Sequence, residues 1–247
     1  MRHYGLIGYP LGHSFSVSYF TEKFAREGIQ ARYRNYPLKD LAAFPDLVKS
    51  DGDLTGLNVT VPYKQKIIPY LQALSGTAES IGAVNTISFR HTGDGLRLTG
   101  DNTDAAGFRR SLEEHLEGHH GSALVLGTGG SSKAVCFVLE QLGIPYELVS
   151  RSGGEHRMAY EQLEAERVTE TPLIINTTPL GMHPAIEGFP AIPYDKLTPR
   201  HLLFDLVYNP PLTRFLALGK ERGAAIVNGY DMLVYQAEAS WKIWHNL

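Results

Sequence analysis

Four residues of this chain have types and spacing suited to moving a proton onto a bound polar molecule. They are Thr60 and Lys64 in "NVTVPYK", Asn85 in "AVNT" and Asp101 in "GDNTD". A lysine just past a strand end is ordinarily a solvated charge. It becomes a proton donor when a carboxylate and a partly buried site position it. Here a hydroxyl, an amide, an ammonium and a carboxylate are available to converge on one polar ligand. Ahead of them, "GYPLGHSFS" (8–16) places Ser14 and Ser16 two apart where a turn runs into a helix. The turn calls for glycine and proline; it does not call for two hydroxyls.

A second set of residues suits phosphate. In "ALVLGTGGSSKA" the glycines stand directly after a strand and before a helix. Gly127 and Gly129 allow a tight turn and the close approach of a pyrophosphate to free helix N–H groups. Ser132 takes the third small position of the dinucleotide pattern. An ordinary glycine turn is the alternative, and the strand–turn–helix context favours the dinucleotide. The next strand ends in "VSRS", where an NAD-binding lobe usually carries Asp or Glu. Arg151 between Ser150 and Ser152 suits a ribose 2′-phosphate, so NADP is favoured over NAD. The alternative for Arg151 is a solvated surface cation.

Other patterns carry less. His115, His119 and His120 have helix-like spacing that a metal can use. They lie at a helix end beside glycines without a further ligand in view, so a solvated surface is expected and no metal. Ser14 follows His13, but no G-x-S-x-G turn is present to make a serine nucleophile. Cys136 is the lone cysteine, in an apolar stretch, which points to a reducing compartment. The net charge of -3 provides no broad positive field for nucleic acid or anionic membrane. No apolar run approaches membrane-spanning length and no signal region opens the chain. A cytoplasmic protein acting on a small molecule is expected.

These residues need elements to position them. The 247 residues, 43% of them hydrophobic, suit one large domain or two small ones. Strands are predicted at 4–8, 31–38, 54–64, 83–90 and 95–102, the last two forming a hairpin. Leu57, Val59 and Val61 share one strand face, and Pro62 ends that strand and opens a helix. A helix is predicted over 14–28, with Val17, Phe20 and Phe24 in period and Gly28 as its stop. Another covers 103–116. Beyond it, apolar strands at 123–127, 146–152, 172–178, 201–208 and 224–229 alternate with helices, the pattern of a parallel sheet covered on both faces. A last helix occupies 230–244. Two α/β lobes are expected: 1–103 with 230–247, and 104–229.

In order along the chain, "GYPLGHSFS", "GLNVTVPYK", "GAVNT", "GDNTD", "GTGGSSKA", "NTTPLGM", "DLVYNPPLT" and "GYDMLVYQA" resemble the shikimate dehydrogenase family. The resemblance implies an α/β substrate lobe, a Rossmann-like NADP lobe and a C-terminal helix returning to the first. It implies NADPH-dependent reduction of 3-dehydroshikimate to shikimate in aromatic amino-acid biosynthesis. Ser14 and Ser16 match the hydroxyls that bind the substrate carboxylate, and Tyr208 the tyrosine that joins them. Thr60, Asn85 and Gln236 match positions that hold ring hydroxyls, Lys64 the catalytic lysine and Asp101 its paired acid. Gly127, Thr128, Gly129, Gly130 and Ser131 match the pyrophosphate loop. Ser150, Arg151 and Ser152 match the 2′-phosphate patch, and Gly229 and the Leu206 backbone positions close to the nicotinamide. A monomer or homodimer is implied.

The chain departs from the family pattern in places. Thr128, Ser131 and Ser132 stand where small alanines are usual. "SRSGGEHR" delays the next basic residue to Arg157, Asp231 replaces a usual glycine, and the segment from Arg151 to "NTTPLGM" is short. Two rivals remain to be tested. One is a quinate or dual quinate/shikimate dehydrogenase, against which Ser16 and Arg151 argue. The other is a catalytically silent hydroxy-acid sensor, against which the Lys64–Asp101 pair argues.

Overall fold

A computed structural model describes residues 1–12, 14–93 and 95–246; His13, Asp94 and Leu247 lie outside them. The chain divides into two compact units, Met1–Thr103 with Ala237–Leu247, and Asp104–Gln236.

The first unit is built on β1 (Arg2–Gly8), β2 (Ala31–Pro37), β3 (Leu54–Val59), β4 (Ala73–Leu74), β5 (Thr86–Thr92) and β6 (Gly95–Asp101), with α1 (Phe15–Glu27), α2 (Phe44–Ser50) and α3 (Gly76–Ile81). Sheet order is β2-β1-β3-β5-β6-β4. β1 runs parallel to β2 and β3, while β5 is antiparallel to both β3 and β6. The carboxyl ends of β1, β3 and β6 and the amino end of β5 therefore share one edge of the sheet. One face packs Leu57, Val59 and Ile87 against Phe44 and Ile67. The other packs Tyr4, Phe20, Phe24 and Tyr33 against Trp241 and Trp244 of the final helix. Gly56 makes that docking possible: a Cβ there would lie 2.3 Å from the Trp244 indole nitrogen. Buried Lys23 of α1 meets Glu238 at 3.0 Å, and Tyr19 also donates to that carboxylate.

Two local expectations fail in this unit. Val61 is 63% exposed, unlike Leu57 and Val59, because β3 ends at Val59 and the alternation stops there. No α-helix follows Pro62; the chain makes turns and a short 3-10 segment, Ile68–Tyr70. Pro69 lacks the N–H that a helix through this stretch needs.

The second unit holds a six-stranded, all-parallel sheet of β7 (Ala123–Leu126), β8 (Tyr146–Ser150), β9 (Met158–Ala159), β10 (Leu173–Asn176), β11 (Leu202–Asp205) and β12 (Ala225–Val227), in the order β12-β11-β10-β7-β8-β9. Its helices are α4 (Thr103–Glu113), α5 (Gly130–Gln141), α6 (Ala165–Glu170) and α7 (Arg214–Glu221), and α8 (Tyr230–His245) closes the chain across the division. Leu124, Leu126, Ile174 and Leu203 face Val168, Phe215 and Leu216 of α6 and α7. Phe204, next to Leu203 and so on the opposite face, packs edge-on against Phe108 of α4 at 5.2 Å. Helices thus cover both faces, as parallel strands buried on both sides require.

Candidate active site

The first unit brings the candidate proton-handling residues to the shared edge of its sheet. Ser14 caps α1, its Oγ accepting the Val17 N–H at 3.4 Å. Ser16 stands in the first turn and is half-buried. Burial pushes the Tyr33 phenol above its ordinary value, and a hydrogen bond from Ser16 opposes that shift. Thr60 leaves β3 beside β1, its N–H donating to the Ile7 carbonyl at 2.9 Å. The Lys64 carbonyl accepts the Val84 N–H at 2.7 Å, and the Asp101 carbonyl accepts the next N–H, that of Asn85, at 3.0 Å. The backbones of lysine and acid are therefore pinned to adjacent residues, and both side chains are half-buried. Asn85 is 3% exposed, with its Oδ1 2.7 Å from the Thr103 N–H.

Tyr208 and Gln236 belong to the second unit. Tyr208 is half-buried in the loop after β11, and buried Gln236 donates from Nε2 to the Leu233 carbonyl at 3.2 Å.

The carboxyl edge of the parallel sheet gathers the phosphate-binding candidates. The Gly127 N–H donates to the Val149 carbonyl at 2.7 Å and φ is 113°, a conformation glycine adopts without strain. Gly129 then caps α5 without a side-chain acceptor of its own. Gly127, Thr128, Gly129, Ser150 and Arg151 line one cavity of about 430 Å³ together with Tyr160, Thr177, Thr178, Pro179 and Leu180. Of the cofactor candidates, Gly130, Ser131, Ser152, Leu206 and Gly229 are not among its lining residues. The Ser150 hydroxyl donates to the Ser152 carbonyl at 2.7 Å, which leaves Arg151 as the cation of the patch. Arg157 lines a different hollow, with Tyr146, Glu147 and His156, and does not supply a second one.

Sequence reasoning missed Tyr160 and the run Thr177–Leu180. The run falls within "NTTPLGM", a family motif to which the residues alone assign no role. Nothing near Tyr160 in the sequence marks it, because β9 and the 3-10 turn that comes next are too short to show a pattern. Its hydroxyl is buried with no partner among the described residues, and burial raises its pKa to about 12 while Arg151 opposes the rise. A glycine turn at a helix start, an arginine and a hollow between them fit a phosphorylated dinucleotide.

Asp205, at the end of β11, organises this edge from behind. Its carboxylate accepts from Asn176 Nδ2 at 2.9 Å, the Val207 N–H at 3.0 Å and the Thr213 hydroxyl at 2.6 Å. Burial nevertheless pushes its pKa up to about 6. Asn176 in turn accepts from Thr178 in the cavity wall. The histidines do other work. His119 Nε2 donates to the Arg200 carbonyl at 3.0 Å, and His120 Nδ1 accepts the Glu117 N–H at 2.9 Å. Among the described residues no group of three or more His, Cys, Asp or Glu is placed to hold a metal ion.

A parallel sheet with a glycine turn and an arginine lining one hollow at its carboxyl edge, in a chain whose other α/β unit brings Lys64 and Asp101 to adjacent residues, fits one class: a dinucleotide-dependent oxidoreductase. The comparisons narrow it. Residues 6–87 match the shikimate dehydrogenase substrate binding domain. The chain is 40% identical over 260 residues to a shikimate dehydrogenase (NADP(+)) of Geobacillus kaustophilus, covering 98% of this chain and 91% of that one. A shikimate 5-dehydrogenase of Thermus thermophilus, solved in complex with NADP(H) and shikimate, superposes with a TM-score of 0.87 at 30% identity, over 100% of this chain and 94% of that one. A quinate dehydrogenase of Corynebacterium glutamicum in complex with NAD has a TM-score of 0.83 at 28% identity, over 100% and 94% of the two chains. The chain belongs to the shikimate dehydrogenase family.

Proposed function

We propose that this family member interconverts 3-dehydroshikimate and shikimate with Lys64 as the proton-transferring group and Asp101 as its partner. The observation that carries this reading is the pinning of Lys64 and Asp101 to the adjacent residues Val84 and Asn85, at the sheet edge where Thr60 and the start of α1 also arrive. Bound NADPH supplies the hydride that reduces the substrate carbonyl carbon. As that carbon gains hydride, its oxygen gains negative charge. The Lys64 ammonium stabilises the charge and gives up one proton to the oxygen; in the reverse direction the amine takes it back. Asp101 holds the ammonium and a neighbouring substrate hydroxyl.

Ser14, Ser16 and Tyr208 hold the substrate carboxylate, the serines beside the open N–H groups at the start of α1. Thr60, Asn85 and Gln236 hold ring hydroxyls. On the cofactor side Gly127 through Ser131 face the pyrophosphate and Arg151, flanked by Ser150 and Ser152, faces the 2′-phosphate. The Leu206 backbone and Gly229 lie toward the nicotinamide. The protein acts as a monomer or homodimer in the cytoplasm.

The test is a two-by-two assay: NADPH or NADH oxidation with 3-dehydroshikimate or 3-dehydroquinate. The highest kcat/KM is expected for NADPH with 3-dehydroshikimate. A maximum for NADH with 3-dehydroquinate would overturn the reading in favour of quinate use, and no turnover in any cell would favour a sensor.

A further inference from the structure

Next to Asn85 three buried hydroxyls close a ring. Thr86 Oγ1 lies 2.7 Å from Ser240 Oγ and 3.2 Å from Thr103 Oγ1, and Thr103 Oγ1 lies 3.0 Å from Ser240 Oγ. Their exposures are 0%, 2% and 0% for Thr86, Thr103 and Ser240, so bulk water does not compete for them. Three hydroxyls carry three protons, shared among the ring contacts and the Asn85 oxygen beside them. Asn58, 4% exposed, braces the ring: its Nδ2 is 3.1 Å from Thr86 Oγ1, 3.0 Å from Ser240 Oγ and 3.2 Å from the Asn85 carbonyl.

The ring also grips the Asn85 side chain. Asn85 Oδ1 receives the Thr103 N–H at 2.7 Å and lies 3.1 Å from both the Thr86 and Thr103 hydroxyls. A backbone N–H can only donate, so the atom facing it must be the carboxamide oxygen, not the nitrogen. The flip of this amide is thereby decided inside the protein. Its oxygen is set by the Thr103 N–H, and its Nδ2 donates to the Thr103 hydroxyl at 2.9 Å, so both ends of the amide are held by the ring side of the pocket wall.

We propose that Ser240 is a positioning residue for Asn85. The ring it closes engages both the oxygen and the nitrogen of the Asn85 amide through Thr103, and so fixes where that side chain stands for the substrate. The four ring and bracing residues come from β3, β5, the start of α4 and α8. Together they hold the Thr103 and Thr86 hydroxyls against the Asn85 side chain. Replacing the Ser240 hydroxyl with hydrogen keeps the Thr86–Thr103 contact but removes the brace from α8. The two hydroxyls that touch Asn85 are then held less firmly, and Asn85 with them. The proposal rests on reading Asn85 as a substrate-binding residue.

The experiment is steady-state kinetics of shikimate oxidation by NADP⁺ for Ser240→Ala, Asn85→Ala and the double variant, with thermal midpoints for each. Ser240→Ala is expected to raise the KM for shikimate by about three- to tenfold, the loss of one well-oriented hydrogen bond, and to leave the KM for NADP⁺ unchanged. In the Asn85→Ala background the same substitution is expected to raise it no further, because Ser240 acts through Asn85. Thr86→Val, which keeps shape and removes another ring hydroxyl, repeats the cycle if Ser240→Ala folds poorly. A parent-like KM in Ser240→Ala overturns the proposal. So does a rise that persists undiminished in the Asn85→Ala background, which marks general loosening. If Asn85→Ala itself leaves the KM for shikimate unchanged, the substrate role of Asn85 fails and the proposal falls with it; if Asn85→Ala raises it and Ser240→Ala does not, only the proposal fails.

Discussion

In the proposed reaction Lys64 works on a charge that exists only while hydride is arriving, so its loss belongs in kcat. Lys64→Ala is expected to lower kcat by about 10²- to 10⁴-fold, the usual contribution of a general acid–base group, with NADP⁺ affinity unchanged in a fluorescence titration. Turnover within a fewfold of the parent would make the lysine a surface charge. The role proposed for Arg151 is in the ground state. Arg151→Ala is expected to weaken NADPH binding by about ten- to a hundredfold and leave NADH nearly untouched, because only NADPH carries the 2′-phosphate. Equal changes for both cofactors would refute that assignment. Asp205 gives a stability signature. Its folded-state pKa, about 6, is above its ordinary 3.8. The folded protein therefore holds this proton more tightly than the unfolded chain. The resulting stabilisation is complete below the ordinary value and is lost as pH rises through about 6. The difference between the two values corresponds to about 3 kcal/mol. Asp205→Asn should flatten that part of a thermal midpoint against pH; an unchanged profile would place the titration elsewhere.

At the scale of the element, the start of α1 is proposed to do two jobs with two serines. Ser14 is the N-cap and Ser16 is not. Ser14→Ala should therefore cost about 1 kcal/mol of stability and also raise the KM for shikimate. Ser16→Ala should raise the KM with little effect on the cap. Chemical denaturation beside kinetics separates them: an equal loss of stability in both variants would mean that Ser14 does not cap the helix in solution. Elsewhere the strands set direction. Because β3 and β5 are antiparallel, the exit of one and the entry of the other deliver Thr60 and Asn85 to the same edge.

For the whole molecule, the residues assigned to the cofactor all lie within Asp104–Gln236. A ligand that binds only the folded state at a hundredfold excess over its Kd stabilises it by about 2.7 kcal/mol. NADP⁺ should raise the thermal midpoint of the protein more than the same concentration of NAD⁺, and Arg151→Ala should remove the difference. Equal shifts for the two nucleotides in the parent protein would mean that the 2′-phosphate finds no partner.

Much of this is legible in the residues because it is local. The glycine turn between β7 and α5, the period-two and period-3.6 patterns, and the cap and stop of α1 depend on neighbours within a few positions. The sequence signatures also identify the family. The stretch beyond Val59 misleads, since Val61 continues an alternation that the strand itself does not, and Pro69 outweighs the helical signal after Pro62. Tyr160 and the displacement of Arg157 from the cofactor cavity leave no mark in the sequence, because which side chains line a hollow depends on how separate strands stack. The hydroxyl ring is the clearest case. Asn58, Thr86, Thr103 and Ser240 are spread along the chain and read singly as ordinary polar residues. Only the packing of a helix onto the sheet removes water from them together, and that desolvation is what obliges them to bond to one another and to fix the orientation of Asn85.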